Sequence, residues 1–234
     1  RAAKFPSLGF VPAYILAGTP EAKARLENEL KAGIFKENGG FLVYEDRQHG
    51  GLLASREEKK NTLEVFVMSQ CPFGVMAENS LLEAVKGKLL PAGLKLEIHY
   101  IGDARADGKG GWDFNSLHGP AEAEENARQL FIAKTFPGKF DAYLAERNKE
   151  ITSPDWQKAA KAAGLDADKV AAGKEEGQKL LALDFAASGD LGMTTSPSFV
   201  VNGKRFLVGL GELTKQPGFE KIPAPGQPAA GCAK

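Results

Sequence analysis

Cys71 stands where an apolar run gives way to a helical one. Leu63-Glu64-Val65-Phe66-Val67-Met68 reads as a strong strand, and Ser69-Gln70-Cys71-Pro72-Phe73-Gly74 follows it directly. A cysteine at a helix N-terminus feels the positive end of the helix dipole and nearby unpaired backbone N–H groups. Both favour thiolate, the form that acts as a nucleophile. Pro72 at an early helical position costs no hydrogen bond. The alternative is that Cys71 is a small buried hydrophobe. Pro197 is the second feature. A cis Pro197 in Thr195-Ser196-Pro197-Ser198-Phe199 would turn the backbone of Ser196 toward a sulfur and let it pair with an extended partner segment. An isolated Ser-Pro bond is ordinarily trans; its company with Cys71 is what singles it out.

The other reactive residue types are scattered. His118 and Asn126 share the stretch Ser116-Leu117-His118-Gly119-Pro120-Ala121-Glu122-Ala123-Glu124-Glu125-Asn126. By itself His118 reads as a loop or helix-start residue. His49 and His99 are isolated, so the three histidines have no metal spacing. Two cysteines in 234 residues make neither a disulfide-dense scaffold nor a four-cysteine zinc or iron–sulfur site within one chain. With 30 basic and 30 acidic residues, net charge is zero, which argues against bulk attraction to nucleic acid or anionic membrane. No apolar run approaches the roughly 20 residues of a membrane span.

The elements that position Cys71 and Pro197 are legible in outline. A helix over about 75–89 follows the strand, and residues 94–101 form the next strand. Residues 102–116 read as a Gly- and Asp-rich loop. Helices fit from Gly119-Pro120 onward, with Glu122, Glu124 and Glu125 favouring the helix start, then over about 138–148, 153–163 and 166–188. Residues 196–203 read as a strand and a hairpin turn at Asn202-Gly203, with residues 204–208 pairing back. Upstream, residues 10–16 read as a strand. Thr19-Pro20-Glu21 starts a helix to about Ile34, and residues 41–44 form another strand. The polar stretch 45–61 reads as a linker. These signals divide the chain into an N-terminal β-α-β extension (1–60), a main α/β domain (61–214) and a flexible tail (215–234) carrying Cys232.

Strand, Cys-Pro-Phe-Gly, helix, strand, helical block, Ser-Pro strand and hairpin together resemble the DsbA-like branch of the thioredoxin superfamily over about residues 62–210. The resemblance implies an α/β thioredoxin-like fold with a helical insertion. Residues 116–126 also resemble the signature of the gamma-interferon-inducible lysosomal thiol reductase family, Cys-Gln-His-Gly, three residues, Cys, two residues, Asn. His118, Gly119 and Asn126 match; Ser116 and Ala123 replace its cysteines. The first strand, Phe10 to Tyr14, also looks like a proline-led thioredoxin strand. It reads either as the trailing half of another such unit or as an extension packed on the main domain.

The resemblance implies thiol–disulfide exchange, with a departure. Dithiol members carry Cys-x-x-Cys, and the second cysteine resolves the mixed disulfide; here that position is Gly74. The expectation is a monothiol oxidoreductase with Cys71 as nucleophile, and with Pro72, Phe73, Ser196 and Pro197 binding a thiol- or disulfide-bearing protein or peptide. Cys232, glutathione as co-substrate or a second protein would resolve it. No metal or resident cofactor is expected. The alternative is a non-catalytic binding or chaperone-like module that holds extended peptide beside Pro197. A cluster shared between two chains and two glutathiones ranks below both, because Pro-Phe-Gly rather than Gly-Phe-Ser follows Cys71. DsbA-like proteins imply the periplasm or cell exterior. The start at Arg1, without Met or a signal-peptide pattern, is that expected of a processed or trimmed chain.

Overall fold

The computed structural model describes residues 7–224. Among them, the N-terminal elements are β1 (Phe10–Val11), β2 (Ala13–Ala17), α1 (Pro20–Arg25), α2 (Glu27–Lys31), β3 (Lys36–Asn38), β4 (Phe41–Glu45) and β5 (Gly51–Leu53). The main unit opens with β6 (Thr62–Val67), α3 (Pro72–Lys86), β7 (Lys95–Tyr100) and the strands β8 (Asp103–Ala106) and β9 (Trp112–Asn115). The helical block is α4 (Pro120–Thr135), α5 (Pro137–Arg147), α6 (Trp156–Ala162), α7 (Ala167–Ala172) and α8 (Lys174–Asp190). It returns through β10 (Ser198–Val201), β11 (Arg205–Val208) and α9 (Leu210–Leu213).

One six-stranded sheet organises the molecule, in the order β1-β5-β11-β10-β6-β7. β6 and β7 are parallel, as the intervening helix α3 requires. β10 pairs antiparallel with β6, placing Ser198 opposite Phe66. Side chains alternate across a strand, and β6 is buried on both faces. Leu63, Val65 and Val67 join one core with Leu81 of α3 and Leu181 and Phe185 of α8. Phe66 and Met68 join the other, with Phe10, Leu53, Met193, Val200 and Cys71 itself. Ile132, Tyr143 and Ala160 close a third cluster inside the helical block.

The N-terminal extension is part of this sheet at one edge. The strand expected over 10–16 is split at Pro12, where the Val11–Pro12 peptide is cis. β1 pairs with β5, whereas β2 pairs with β4, the middle strand of a separate three-stranded sheet. Residues 45–61, read as a linker, contain β5, which lies antiparallel to β11. Arg56, in the same stretch, grips the buried Glu64 of β6 with two hydrogen bonds at 2.6 and 2.5 Å.

Several boundaries differ from the sequence expectation. The helix expected over 20–34 is two short ones meeting at Leu26. Residues 102–116 are not a plain loop but hold the β8–β9 pair. The helix expected over 166–188 breaks at Gly173, where the Phe131 ring leaves no room for a Cβ. Residues 215–224, expected as the start of a flexible tail, carry Phe219 and Ile222, both buried in the main core. Burying such a side chain is worth about 1.5–3 kcal/mol, enough to order a short segment. No helix among the described residues is long and apolar enough to cross a membrane.

Candidate functional site

Cys71 is the N-cap of α3, with extended backbone, and Pro72 takes the first helical position. Its N–H donates to the carbonyl of Met68 at 2.9 Å, and its own carbonyl accepts from Val75 at 2.9 Å. The turn from β6 into α3 is therefore closed by backbone hydrogen bonds on both sides of the cysteine. The thiol is free and only 9% exposed. Its Sγ lies 3.7 Å from the carbonyl oxygen of Ser196. The Ser196–Pro197 peptide is cis. The fold thus brings Cys71, Pro72, Ser196 and Pro197, 125 residues apart in the chain, to one place.

Beside them is a recess of about 240 Å³ lined by Phe73, Met76, Thr195, Ser196, Pro197 and Leu210. Phe73 stands 68% exposed at its rim. An apolar wall next to a thiol and a strand-like backbone edge suits an extended apolar segment. Ser196 also acts inward: its hydroxyl accepts the N–H of Met68 at 3.1 Å. Gly74, where a dithiol motif would place its second cysteine, faces that hydroxyl, and a Cβ on Gly74 would meet it at 2.6 Å. Cys232 lies outside the described residues.

The turn before Cys71 is held from the far side by α4. Asn126 accepts the N–H of Ser69 at 3.2 Å. Glu122 accepts the N–H of Gln70 at 2.9 Å. The same carboxylate takes the Ser116 hydroxyl at 2.6 Å, the His118 N–H at 3.2 Å and the His118 ring Nδ1 at 2.8 Å. Glu122 and Asn126 have no exposed surface. In sequence Glu122 reads only as a favourable helix-start residue; its role as a buried acceptor emerges in the fold. The available signal was its four-residue spacing from His118 within a helix start.

Phe10 and Leu53 of the N-terminal extension also share the buried cluster of Cys71. Arg47 lies over the Phe10 ring at 4.5 Å and donates to the Leu191 carbonyl at 2.6 Å, just upstream of Ser196. Away from Cys71, Glu64, Glu97 and His99 present ligand-type atoms within 4.8 Å of one another. These groups already have partners: Arg56 and Lys59 hold Glu64, Lys95 meets Glu97, and Asp184 takes His99 Nδ1 at 2.6 Å.

No protein-family model and no curated protein matches the chain. Solved structures do. The crystal structure of SrgA from Salmonella enterica serovar Typhimurium is similar over 70% of this chain and 87% of its own, at 14% identity and a TM-score of 0.51. An oxidized DsbA1 mutant is similar over 69% and 83%, at 14% identity and a TM-score of 0.50. The DsbA disulfide interchange protein from Klebsiella pneumoniae covers 76% and 91%, at 20% identity and a TM-score of 0.49. With the helical block set between β7 and β10, and extra strands at the N-terminal edge of the sheet, the chain has a DsbA-like thioredoxin fold.

Proposed function

We propose that the protein is a monothiol thiol–disulfide oxidoreductase that works through Cys71. The carrying observation is the placement of Sγ at the start of α3, 3.7 Å from the Ser196 carbonyl and beside the Phe73–Pro197 recess. The Cys71 thiolate attacks one sulfur of a partner disulfide. One S–S bond breaks and one forms, and the partner's second sulfur leaves as a thiolate that then takes up a proton from solvent. The partner is a disulfide- or thiol-bearing protein or peptide whose extended segment lies along Ser196 and Pro197, with Pro72 and Phe73 on its other side. A second thiol then breaks the mixed disulfide, drawn from glutathione or from Cys232. Residues 116–126 stand as the counterpart of the lysosomal thiol reductase signature; the support is that Glu122 and Asn126 hold the Cys71 turn. The same reading places the protein in the periplasm or outside the cell, where disulfide chemistry persists.

Intact mass before and after oxidised glutathione tests this. The folded protein should gain one glutathione, and Cys71→Ser should gain none at that position. If the adduct gives way to an internal bond only while Cys232 is present, the tail is the resolving arm. A Cys71 that stays unmodified until the chain is unfolded overturns the reading. It would favour the second one, a peptide-holding module, for which the exposed Phe73 beside the recess speaks independently of the thiol.

A further inference from the structure

The three-stranded sheet of the N-terminal extension runs β2-β4-β3, so β2 and β3 are its edges. The two edges are built differently. β3 is the short run Lys36-Glu37-Asn38, exposed at Lys36 and Glu37, and Glu37 pairs with Lys23 of α1. Charge and brevity blunt an edge against further pairing. β2 is Ala13-Tyr14-Ile15-Leu16-Ala17, with no charge, no proline and an unbroken register along β4.

That register fixes which backbone groups β2 leaves open. Pro12 accepts the N–H of Asp46 at 3.1 Å, and Gly18 donates to Gly40 at 2.9 Å. Residues bonded to the partner alternate along an antiparallel strand. Tyr14 and Leu16 therefore bond to β4, while Ala13, Ile15 and Ala17 turn their N–H and C=O outward. Among the described residues, only the Ala17 carbonyl has a backbone partner on that side, the N–H of Thr19. A row of rings also runs to this edge and stops. Phe35 meets Tyr44 of β4 at 5.7 Å between centroids, and Tyr44 stacks on Tyr14 at 5.8 Å. Tyr14 is 58% exposed and Leu16 43%. Ser7, where the described chain begins, accepts the side-chain amide of Asn38 on β3, at the other edge. Phe219 and Ile222, near its end, lie in the main core.

We propose that β2 pairs with β2 of a second copy, antiparallel about a two-fold axis at Ile15, joining two three-stranded sheets into one of six strands. Such a contact must be its own complement, and β2 meets that condition. With Ile15 opposite the partner's Ile15, the outward groups of Ala13 meet those of the partner's Ala17, and each open N–H gains an acceptor. Tyr14 falls opposite the partner's Leu16 at a non-hydrogen-bonded pair, where side chains are closest, so the row of rings continues across the axis. An uncharged strand sets no like charges against each other there. Two strands of this length bury less than the roughly 1,200–2,000 Å² of a standard stable interface, so the association is weak and depends on concentration.

Sedimentation equilibrium of the full chain tests this, under a reductant that keeps Cys71 and Cys232 from linking copies. From about 1 to about 500 μM the weight-average mass should climb from 25.0 kDa toward twice that. Tyr14→Lys with Leu16→Lys sets like charges opposite each other twice and should raise the Kd at least about tenfold. Tyr14→Glu with Leu16→Lys sets opposite charges in the same places and should bind at least about fivefold tighter than the like-charge variant at low salt. Ile15→Pro removes an outward N–H without touching the β2–β4 ladder and should leave a monomer. A parent that is monomeric throughout overturns the proposal and leaves β2 to a strand of another protein. Equal weakening by like and opposite charges overturns it too. So does association that survives Ile15→Pro, or that is lost instead in Phe73→Lys or Leu183→Lys, which alter exposed apolar side chains elsewhere. Circular dichroism checks folding; if a paired variant fails to fold, Leu16→Lys alone and Ile15→Pro carry the test.

Discussion

Gly74 and Ser196 share one small volume. A Cβ at residue 74 would come within 2.6 Å of the Ser196 hydroxyl and 3.3 Å of the Met68 carbonyl. The hydroxyl is itself held by the Met68 N–H. The missing second cysteine is thus matched by a serine that fills the space beside it. Gly74→Ala should lower stability by about 1–3 kcal/mol through overpacking, despite the helix propensity of alanine. Ser196→Ala should cost about 1–3 kcal/mol by orphaning the Met68 N–H. The double variant should cost less than the sum, because removing the hydroxyl makes room for the methyl. Urea unfolding of the four proteins measures the cycle, and strict additivity would mean that the two residues do not compete for space.

Among the elements, the stretch 45–61 has the most unexpected role. Its strand β5 joins β11, and Arg56 and Lys59 reach the buried Glu64 of β6. Burial pushes the Glu64 carboxyl up, but the hydrogen bonds and charges of Arg56 and Lys59 outweigh it and hold the group below the usual carboxylate range. Removing the arginine leaves a charge buried in a central strand. Arg56→Met should therefore destabilise the protein by about 2–4 kcal/mol, and Arg56→Met with Glu64→Leu should recover most of the loss. Denaturant midpoints decide it. A single variant as stable as the parent would mean that this stretch clasps the sheet through its backbone alone.

At the scale of the whole molecule, a buried carboxyl and a half-buried imidazole set a pH dependence. Glu78 is fully buried, with one carboxyl oxygen on Asn148 at 3.0 Å and the other without a partner. Burial pushes its carboxyl up to about 8, with Asn148 pulling against it and the charge of Glu125 adding to it. For His99, burial pulls the ring down, but Asp184, Glu64 and Glu97 together raise it above its ordinary value. A group raised in the folded state gives stability that is complete below its unfolded value and lost as pH rises through the folded one. For Glu78 that window runs from about 4.5 to about 8; for His99 it opens at about 6.5. Glu64 works the other way, its contribution fading as pH falls below about 4.5. Stability should peak near the acid end of this range and fall, by on the order of a few kcal/mol, between pH 5 and pH 8. Glu78→Gln should flatten that fall. Unfolding midpoints that rise over the interval would contradict both assignments.

The junction at Cys71 was readable because local rules act there. An apolar strand, a cysteine, a proline at the first helical position and a helical run are all set by neighbours in the chain. The hairpin at Asn202-Gly203 was readable for the same reason, and the order of the main elements followed. The partners of these pieces were not readable. Nothing near Gln70 announces Glu122, 52 residues away. Nothing in the polar run at Arg56 announces a buried acid on β6, and Leu53 does not reveal that it shares a buried cluster with Cys71. Gly173 looks like one glycine inside a long helix until the Phe131 ring is seen against it. Hydrogen-bond satisfaction and close packing are conditions on atoms brought together by the fold, whatever their separation along the chain. Neighbours in the chain fix which cysteine begins which helix, whereas packing between distant segments sets what surrounds its sulfur.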